Sequence, residues 1–279
     1  MKFKKQAIAV LALAMAVQSG ITVGNLSMPV QKVYAATATF NDLSGYDWAK
    51  DAINAMASKG IIAGVGDNKF APASNVKLVE FAAMAMRAFG GEDASTTIAS
   101  EQGNLNEIAS QNGSSYWGNS VICAAQKYGL TEKFGTTKEV WEDSASRAEM
   151  AYIVMSLAEQ MGDEQFSITD GIENNIGDYD KVRSYGNYMS YILKAYSNGI
   201  LCGVNNNGDY APDAYAKRAE AAAIIQRLVE IRAQQAKLLG FPHYAAWKIA
   251  DQMAKTPEAA LNFMREIVPA ARQRASDEL

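Results

Sequence analysis

Histidine occurs once in the 279 residues, cysteine twice and proline six times. Each scarcity excludes something. The lone His243 cannot pair with a second histidine around a metal. It also lies outside the repeated region described below, so no serine–histidine–aspartate site can be assembled there. Two cysteines, Cys123 and Cys202, are too few for a disulfide scaffold. Their positions, one inside a helical pattern and one just past another, read as two buried thiols. No lysine- and arginine-rich tract is present and the formal charge is −4, which argues against a nucleic-acid partner. The amino-terminal apolar run, Ala7 to Val17, is shorter than the roughly 20 residues that a membrane span requires. The stretch Gly203 to Asp209 offers asparagines where a calcium loop needs carboxylates, and no bidentate glutamate follows. It reads as an asparagine–glycine turn, and neither metal nor cofactor is expected.

What is present begins with an export signal. Lys2, Lys4 and Lys5 precede the apolar run, and Val33-Tyr34-Ala35 forms a small-x-small cleavage site. A signal peptide over residues 1–35 therefore predicts an exported chain, with no membrane contact after its removal. Losing four lysines and no acid takes the charge to −8, and residues 231–279 hold seven basic and five acidic groups. The middle of the chain, residues 36–230, then carries −10. Bulk charge cannot hold such a domain to an anionic polymer, so any recognition of one must use local cations.

That middle is repetitive. Gly66-Asp67-Asn68-Lys69-Phe70-Ala71-Pro72 runs into Val76 to Glu80 and an apolar helix; Gly208-Asp209-Tyr210-Ala211-Pro212 does the same into Lys217-Arg218-Ala219-Glu220. A looser copy, with Trp141 in place of the proline, leads to Ser146-Arg147-Ala148-Glu149. Glu80, Glu149 and Glu220 mark one position three times, at intervals of 69 and 71 residues. Ahead of each, an amphipathic helical pattern ends at Gly60, Gly129 or Gly199, as a left-handed C-cap requires. One helix–loop–helix unit is thus used three times. The marker glutamates suit the first helical turn, where they accept from free backbone N–H groups. Tyr185, Tyr188, Tyr191 and Tyr196 form an aromatic stripe that reads mainly as core. Gly90 to Ser115 and Asp163 to Asp180 read as connections.

This punctuation resembles the S-layer homology family, whose repeats read F-x-D, W-A, A-I, G-I-I-x-G, F-x-P and T-R-A-E in that order. Phe40-Asn41-Asp42, Trp48-Ala49, Ala52-Ile53 and Gly60-Ile61-Ile62-Ala63-Gly64 carry it in the first unit; Ile168-Thr169-Asp170 and Gly199 to Gly203 carry it in the third. Leu78 stands where the family has arginine, and Asn187 where it has tryptophan. The resemblance implies an all-α fold, with repeats at 39–90, 105–160 and 168–230 in a pseudo-threefold bundle. It implies non-covalent attachment to secondary cell-wall polysaccharide linked to peptidoglycan, at the surface of a Gram-positive bacterium, the ligand carrying a pyruvyl ketal. It also implies glycan contacts at Asp42, Trp48, Gly64, Trp117, Arg147, Asp170, Gly203 and Arg218. The arginines would grip the ketal carboxylate with a planar fork, against the plainer expectation of a structural ion pair. A structural surface lattice is the alternative role.

From residue 231 the sequence changes character. Ala236-Lys237-Leu238-Leu239-Gly240-Phe241 and Tyr244 to Glu258 resemble the helical, non-catalytic part of the dipeptidyl carboxypeptidase and oligopeptidase A family of zinc metallopeptidases. That chemistry needs H-E-x-x-H on a helix, which a chain with one histidine cannot supply. The expectation for 231–279 is a helical extension without an active site, and for the whole chain a natural fusion, an assembly artefact or an engineered chimera that is not an enzyme. Thr256-Pro257-Glu258 is expected to cap a helix within it.

Overall fold

The computed structural model describes residues 40–90, 104–160, 166–242 and 244–250, with isolated positions beyond 255. The expected signal peptide and His243 lie outside the described residues. The fold is all-α, and among the described residues no strand forms. The chain divides into two compact units, one of residues 36–228 and one that includes 229–279.

In the first of these, helices α1 (Asp47–Ser58), α2 (Leu78–Gly90), α3 (Leu105–Asn112), α4 (Asn119–Lys127), α5 (Thr131–Phe134), α6 (Lys138–Glu142) and α7 (Arg147–Gln160) follow in order. A 3₁₀ turn at Ile172–Asn175, α8 (Tyr179–Ser184), a second 3₁₀ turn at Gly186–Tyr188 and α9 (Met189–Ser197) come next. Helix α10 (Arg218–Leu238) leads out of the unit. Helices α1, α4 and α9 end as the repeat pattern predicts, with Gly60, Gly129 and Gly199 at φ of +68°, +71° and +69°. A left-handed residue there lets the chain turn back without the steric cost that a Cβ would bring. Helices α2, α7 and α10 each begin within three residues of a marker glutamate. Glu80, Glu149 and Glu220 accept the backbone N–H of Lys77, Ser146 and Lys217 at 3.0, 2.7 and 2.8 Å. This satisfies donors that the helix itself leaves free.

Helix α7 is the centre of the core. It packs against α2 on one side and α9 on the other, and Met150, Ile153, Val154, Met155 and Leu157 are all buried. Such all-round burial is the mark of a helix without a solvent face. Three backbone bridges tie the unit together, pairing Lys77 with Ser144, Ser146 with Tyr215 and Lys217 with Asn75. Counted from the marker glutamates, Lys77, Ser146 and Lys217 are one position, and Asn75, Ser144 and Tyr215 another. Each repeat's marker segment therefore hydrogen-bonds to the next, and the third to the first.

The connection expected from Gly90 to Ser115 contains α3, and Asn112 on that helix holds the following loop. Its side chain donates to Thr136 O (2.8 Å) and accepts from Lys138 N–H (2.8 Å). Cys123 is buried as expected, whereas Cys202 is exposed. It lies beyond the end of α9, where the chain has already turned toward solvent. Burial pushes the Cys123 thiol up from its ordinary value.

In the second unit, Arg232 lies over the Tyr244 ring at 3.8 Å, and Tyr244 stacks edge-on against Trp247 in α11 (Tyr244–Ala250). Ala259 N–H donates to Thr256 Oγ1 at 3.1 Å, the expected N-terminal cap.

Candidate functional site

The loops that follow α1 and α9 are built alike. In residues 63–71, Ala71 sits at φ +57°; in 202–211, Ala211 sits at +53°. A left-handed alanine costs about 1–2 kcal/mol and needs outside support. An aspartate supplies it in both. Asp42 accepts from Phe70 N–H and Ala71 N–H at 2.9 and 2.7 Å, and Asp178 accepts from Tyr210 N–H and Ala211 N–H at 2.6 and 2.8 Å. Partial burial works to raise the Asp42 carboxyl, but the two amides, with Lys69 nearby, hold it below the usual carboxylate range.

Ile176-Gly177-Asp178 is thus the third repeat's opening word, and Asp178 is the geometric counterpart of Asp42. Asp170, assigned that place from Ile168-Thr169-Asp170, is exposed in the turn before the first 3₁₀ segment. The two aspartates share one short pattern, since Asp170 and Asp178 each follow an isoleucine by two residues. Gly177 sits at a close approach, where a Cβ would lie 2.3 Å from Asp209 Oδ1.

Each loop is also held by an arginine from another repeat. Arg218, 4% exposed, donates through Nε to Phe70 O and through Nη2 to Ala63 O, both at 2.9 Å. Its Nη1 stands 2.9 Å from Glu80 Oε1. Arg147, 7% exposed, donates through Nε to Tyr210 O (2.7 Å) and through Nη2 to Cys202 O (2.5 Å). Each guanidinium also lies 4.9 Å from an aromatic ring, Phe70 for Arg218 and Tyr210 for Arg147. The plainer expectation of a structural ion pair describes Arg218, though its main partners are carbonyls. Both forks are turned inward, toward loop backbone rather than solvent.

Gly64 and Gly203 lie within these loops at close approaches. A Cβ at Gly64 would meet Lys69 O and the Phe40 ring at 2.6 Å, and one at Gly203 would meet the Gly208 backbone at 2.8 Å. Asp42, Gly64 and Arg218 therefore gather around one loop, and Gly203 and Arg147 around the other. Trp48 and Trp117 are placed differently. Trp48 is the second residue of α1 and Trp117 lies two residues before α4, each 32 residues ahead of its marker glutamate, and they are 61% and 52% exposed. The loop aromatics Phe70, Trp141 and Tyr210 are instead fully buried. Trp141 stands eight residues before its marker glutamate, as Pro72 and Pro212 do, and from that place its side chain plugs the interior.

The tyrosine stripe is divided. Tyr188 and Tyr191 meet Tyr152 edge-on, Tyr196 donates to Asn175 O (2.8 Å), and Tyr185 borders a groove. Among the described residues no cluster of histidine, cysteine, aspartate and glutamate could hold a metal, and no helix is long and apolar enough to cross a membrane.

Against this geometry, the S-layer homology domain family matches residues 39–82 and 179–222. The chain carries S-layer homology domains. These matches cover the first and third repeats, and the second match begins one residue after Asp178. The intervening repeat, with Trp141 and without the glycine-rich turn, is not matched. Peptidase family M3 matches residues 210–279, starting earlier than the change of character at 231. Residues similar to an amylopullulanase of Thermoanaerobacterium thermosulfurigenes are 33% identical over 195 residues, which is 69% of this chain and 10% of that protein. A surface-layer 125 kDa protein of Lysinibacillus sphaericus is 25% identical over 193 residues, 68% of this chain and 15% of that one. A dipeptidyl carboxypeptidase of Escherichia coli is 93% identical over 60 residues, 22% of this chain and 9% of the enzyme. The chain thus joins segments of two families and spans about a tenth of the length of the curated relatives it matches. No solved structure matches it.

Proposed function

We propose that the S-layer homology region anchors the chain non-covalently to the bacterial cell envelope, by binding peptidoglycan-linked wall polysaccharide that carries pyruvyl ketals. The observation that supports this best is the contrast among aromatics. Trp48 and Trp117 stay largely in solvent at matching places in two repeats, while the loop aromatics are fully buried. An exposed tryptophan offers a sugar ring a flat apolar face. The cyclic bridges support the threefold arrangement of the repeats.

The residues proposed to build the glycan site are Asp42, Trp48, Gly64, Trp117, Arg147, Gly203 and Arg218, with Asp178 in the place assigned to Asp170. Within this set the exposed tryptophans touch the glycan. Asp42, Arg147 and Arg218 shape the loops, and Gly64 and Gly203 keep those loops compact. The chain acts outside the cell and is not a peptidase, because its only histidine cannot form a zinc-binding helix.

A pull-down of the purified chain with peptidoglycan-linked wall polymer, native or chemically depyruvylated, tests the proposal. Native polymer should retain the chain and depyruvylated polymer should not. Equal retention on both would remove the ketal from the reading, and retention on neither would remove the anchoring role.

A further inference from the structure

The dipeptide Asn-Gly occurs three times, at Asn112-Gly113, Asn198-Gly199 and Asn207-Gly208. Asparagine is chemically labile, and most so before glycine, because a residue without a side chain lets its backbone nitrogen reach the preceding side-chain amide. The structure treats the three pairs differently. Asn112, at the end of α3, donates through Nδ2 to Thr136 O and accepts at Oδ1 from Lys138 N–H, both at 2.8 Å. Asn198, just past α9, donates through Nδ2 to Ser167 O at 2.9 Å and to Lys194 O at 2.8 Å. Each of these amides must shed two hydrogen bonds before it can turn to its own backbone.

Asn207 carries no such restraint. It is exposed, and among the described residues no group hydrogen-bonds to its side chain. Its backbone N–H donates to Asn205 Oδ1 at 3.0 Å. Gly208 N–H closes the same turn onto Asn205 O at 3.1 Å, a bond within the exposed segment that opens without disturbing the core. The far side of the turn is tightly seated. Gly208 O accepts from Gly177 N–H at 3.3 Å. A Cβ at Gly208 would lie 2.5 Å from Asn175 O, and one at Gly177 would lie 2.5 Å from Asn207 O. Directly after the turn, Tyr210 N–H and Ala211 N–H are held by Asp178. The loop therefore has a reactive outer side and an inner side without room for an extra backbone atom.

We propose that Asn207 is a site of spontaneous deamidation, and that its conversion unfastens the loop of the third repeat. Gly208 N attacks Asn207 Cγ; the N–Cγ bond forms, the Cγ–Nδ2 bond breaks, and ammonia leaves with the proton of the Gly208 amide. Water then adds to one carbonyl of the succinimide ring and opens it. Opening on one side leaves an aspartate, and on the other an isoaspartate whose backbone is longer by a methylene. Either product sets a new carboxylate beside Asp209, whose Oδ2 accepts from Asn205 Nδ2 at 2.7 Å, and like charges so close disfavour the turn. The isoaspartate also pushes Gly208 away from Gly177, and with it Tyr210 and Ala211 from Asp178. The matching segment of the first repeat, Gly66-Asp67-Asn68-Lys69, has no Asn-Gly pair and escapes this reaction. The site does not depend on the envelope reading.

The test is peptide mapping by mass spectrometry of the full chain after incubation in warm, mildly alkaline buffer, both folded and in concentrated urea. In the folded chain, exchange of ammonia for water should run at least about tenfold faster at Asn207 than at Asn112 or Asn198. In urea, where the restraining hydrogen bonds are lost, the three rates should converge. An isoaspartyl methyltransferase should label the incubated parent at this loop and leave the loop of Asn207→Ser unlabelled. The converted parent should unfold at lower urea concentration than fresh protein, whereas Asn207→Ser should keep its midpoint through the same incubation. Reaction at Asn112 or Asn198 as fast as at Asn207 in the folded chain, or rates that stay apart in urea, would overturn the site. An unchanged urea midpoint in fully converted parent would overturn the unfastening of the loop.

Discussion

The loops of the first and third repeats and the corresponding segment of the second solve one problem by different chemistry. Residues 63–71 and 202–211 are irregular, each with a left-handed alanine, and their backbone groups are satisfied from outside. Asp42 or Asp178 takes two amides, and Arg218 or Arg147 takes two carbonyls. The second repeat has neither clamp. Short helices α5 and α6 satisfy most of its backbone internally, Trp141 plugs the space and donates to Gly135 O at 3.0 Å, and Leu78 stands where the arginine would reach in. An irregular loop at a surface thus needs imported charge, whereas a helical one needs a large apolar side chain.

The clamps and the plug can be broken separately. The largest effects should come from Arg218→Ala and Trp141→Ala, each costing about 3–5 kcal/mol in urea unfolding, the first by stranding Glu80 and two carbonyls and the second by opening a cavity. Equal loss at both sites would show that the two solutions are equally strong; a loss below about 1 kcal/mol at Arg218 would show that the clamp is dispensable. Arg147→Ala should cost less, about 2–3 kcal/mol, because among the described residues no acid lies within ion-pair distance of Arg147 and only carbonyls are stranded.

Asp42→Asn comes next, at about 1–3 kcal/mol, and it carries a pH signature. The folded Asp42 carboxyl lies below its unfolded value. Its contribution is therefore complete above about pH 4 and fades as pH falls through the lower, folded value. Acid titration of stability should show this component in the parent and not in the variant. The smallest stability effect belongs to Trp48→Ala, within about 0.5 kcal/mol, yet its retention on wall polymer should fall. A drop in stability without a drop in retention would make Trp48 part of the core rather than of the surface.

The capping glycines and the marker glutamates were legible because each depends on local backbone geometry, which a few neighbouring residues dictate. The tail's likeness to a peptidase was legible for another reason, as a run of specific words, although where it began was not. The position of the third opening aspartate was not legible. Asp170 and Asp178 both follow an isoleucine by two residues, and only the distance to Tyr210 N–H decides between them. The inward turn of Arg147 and Arg218 was equally hidden, because the carbonyls they hold come from residues 55 to 155 positions away. Sequence alone set where the helices turn back, at the capping glycines, and where they begin, at the marker glutamates. The tertiary structure decided which charges face solvent, because burial and partner distance depend on how distant segments meet.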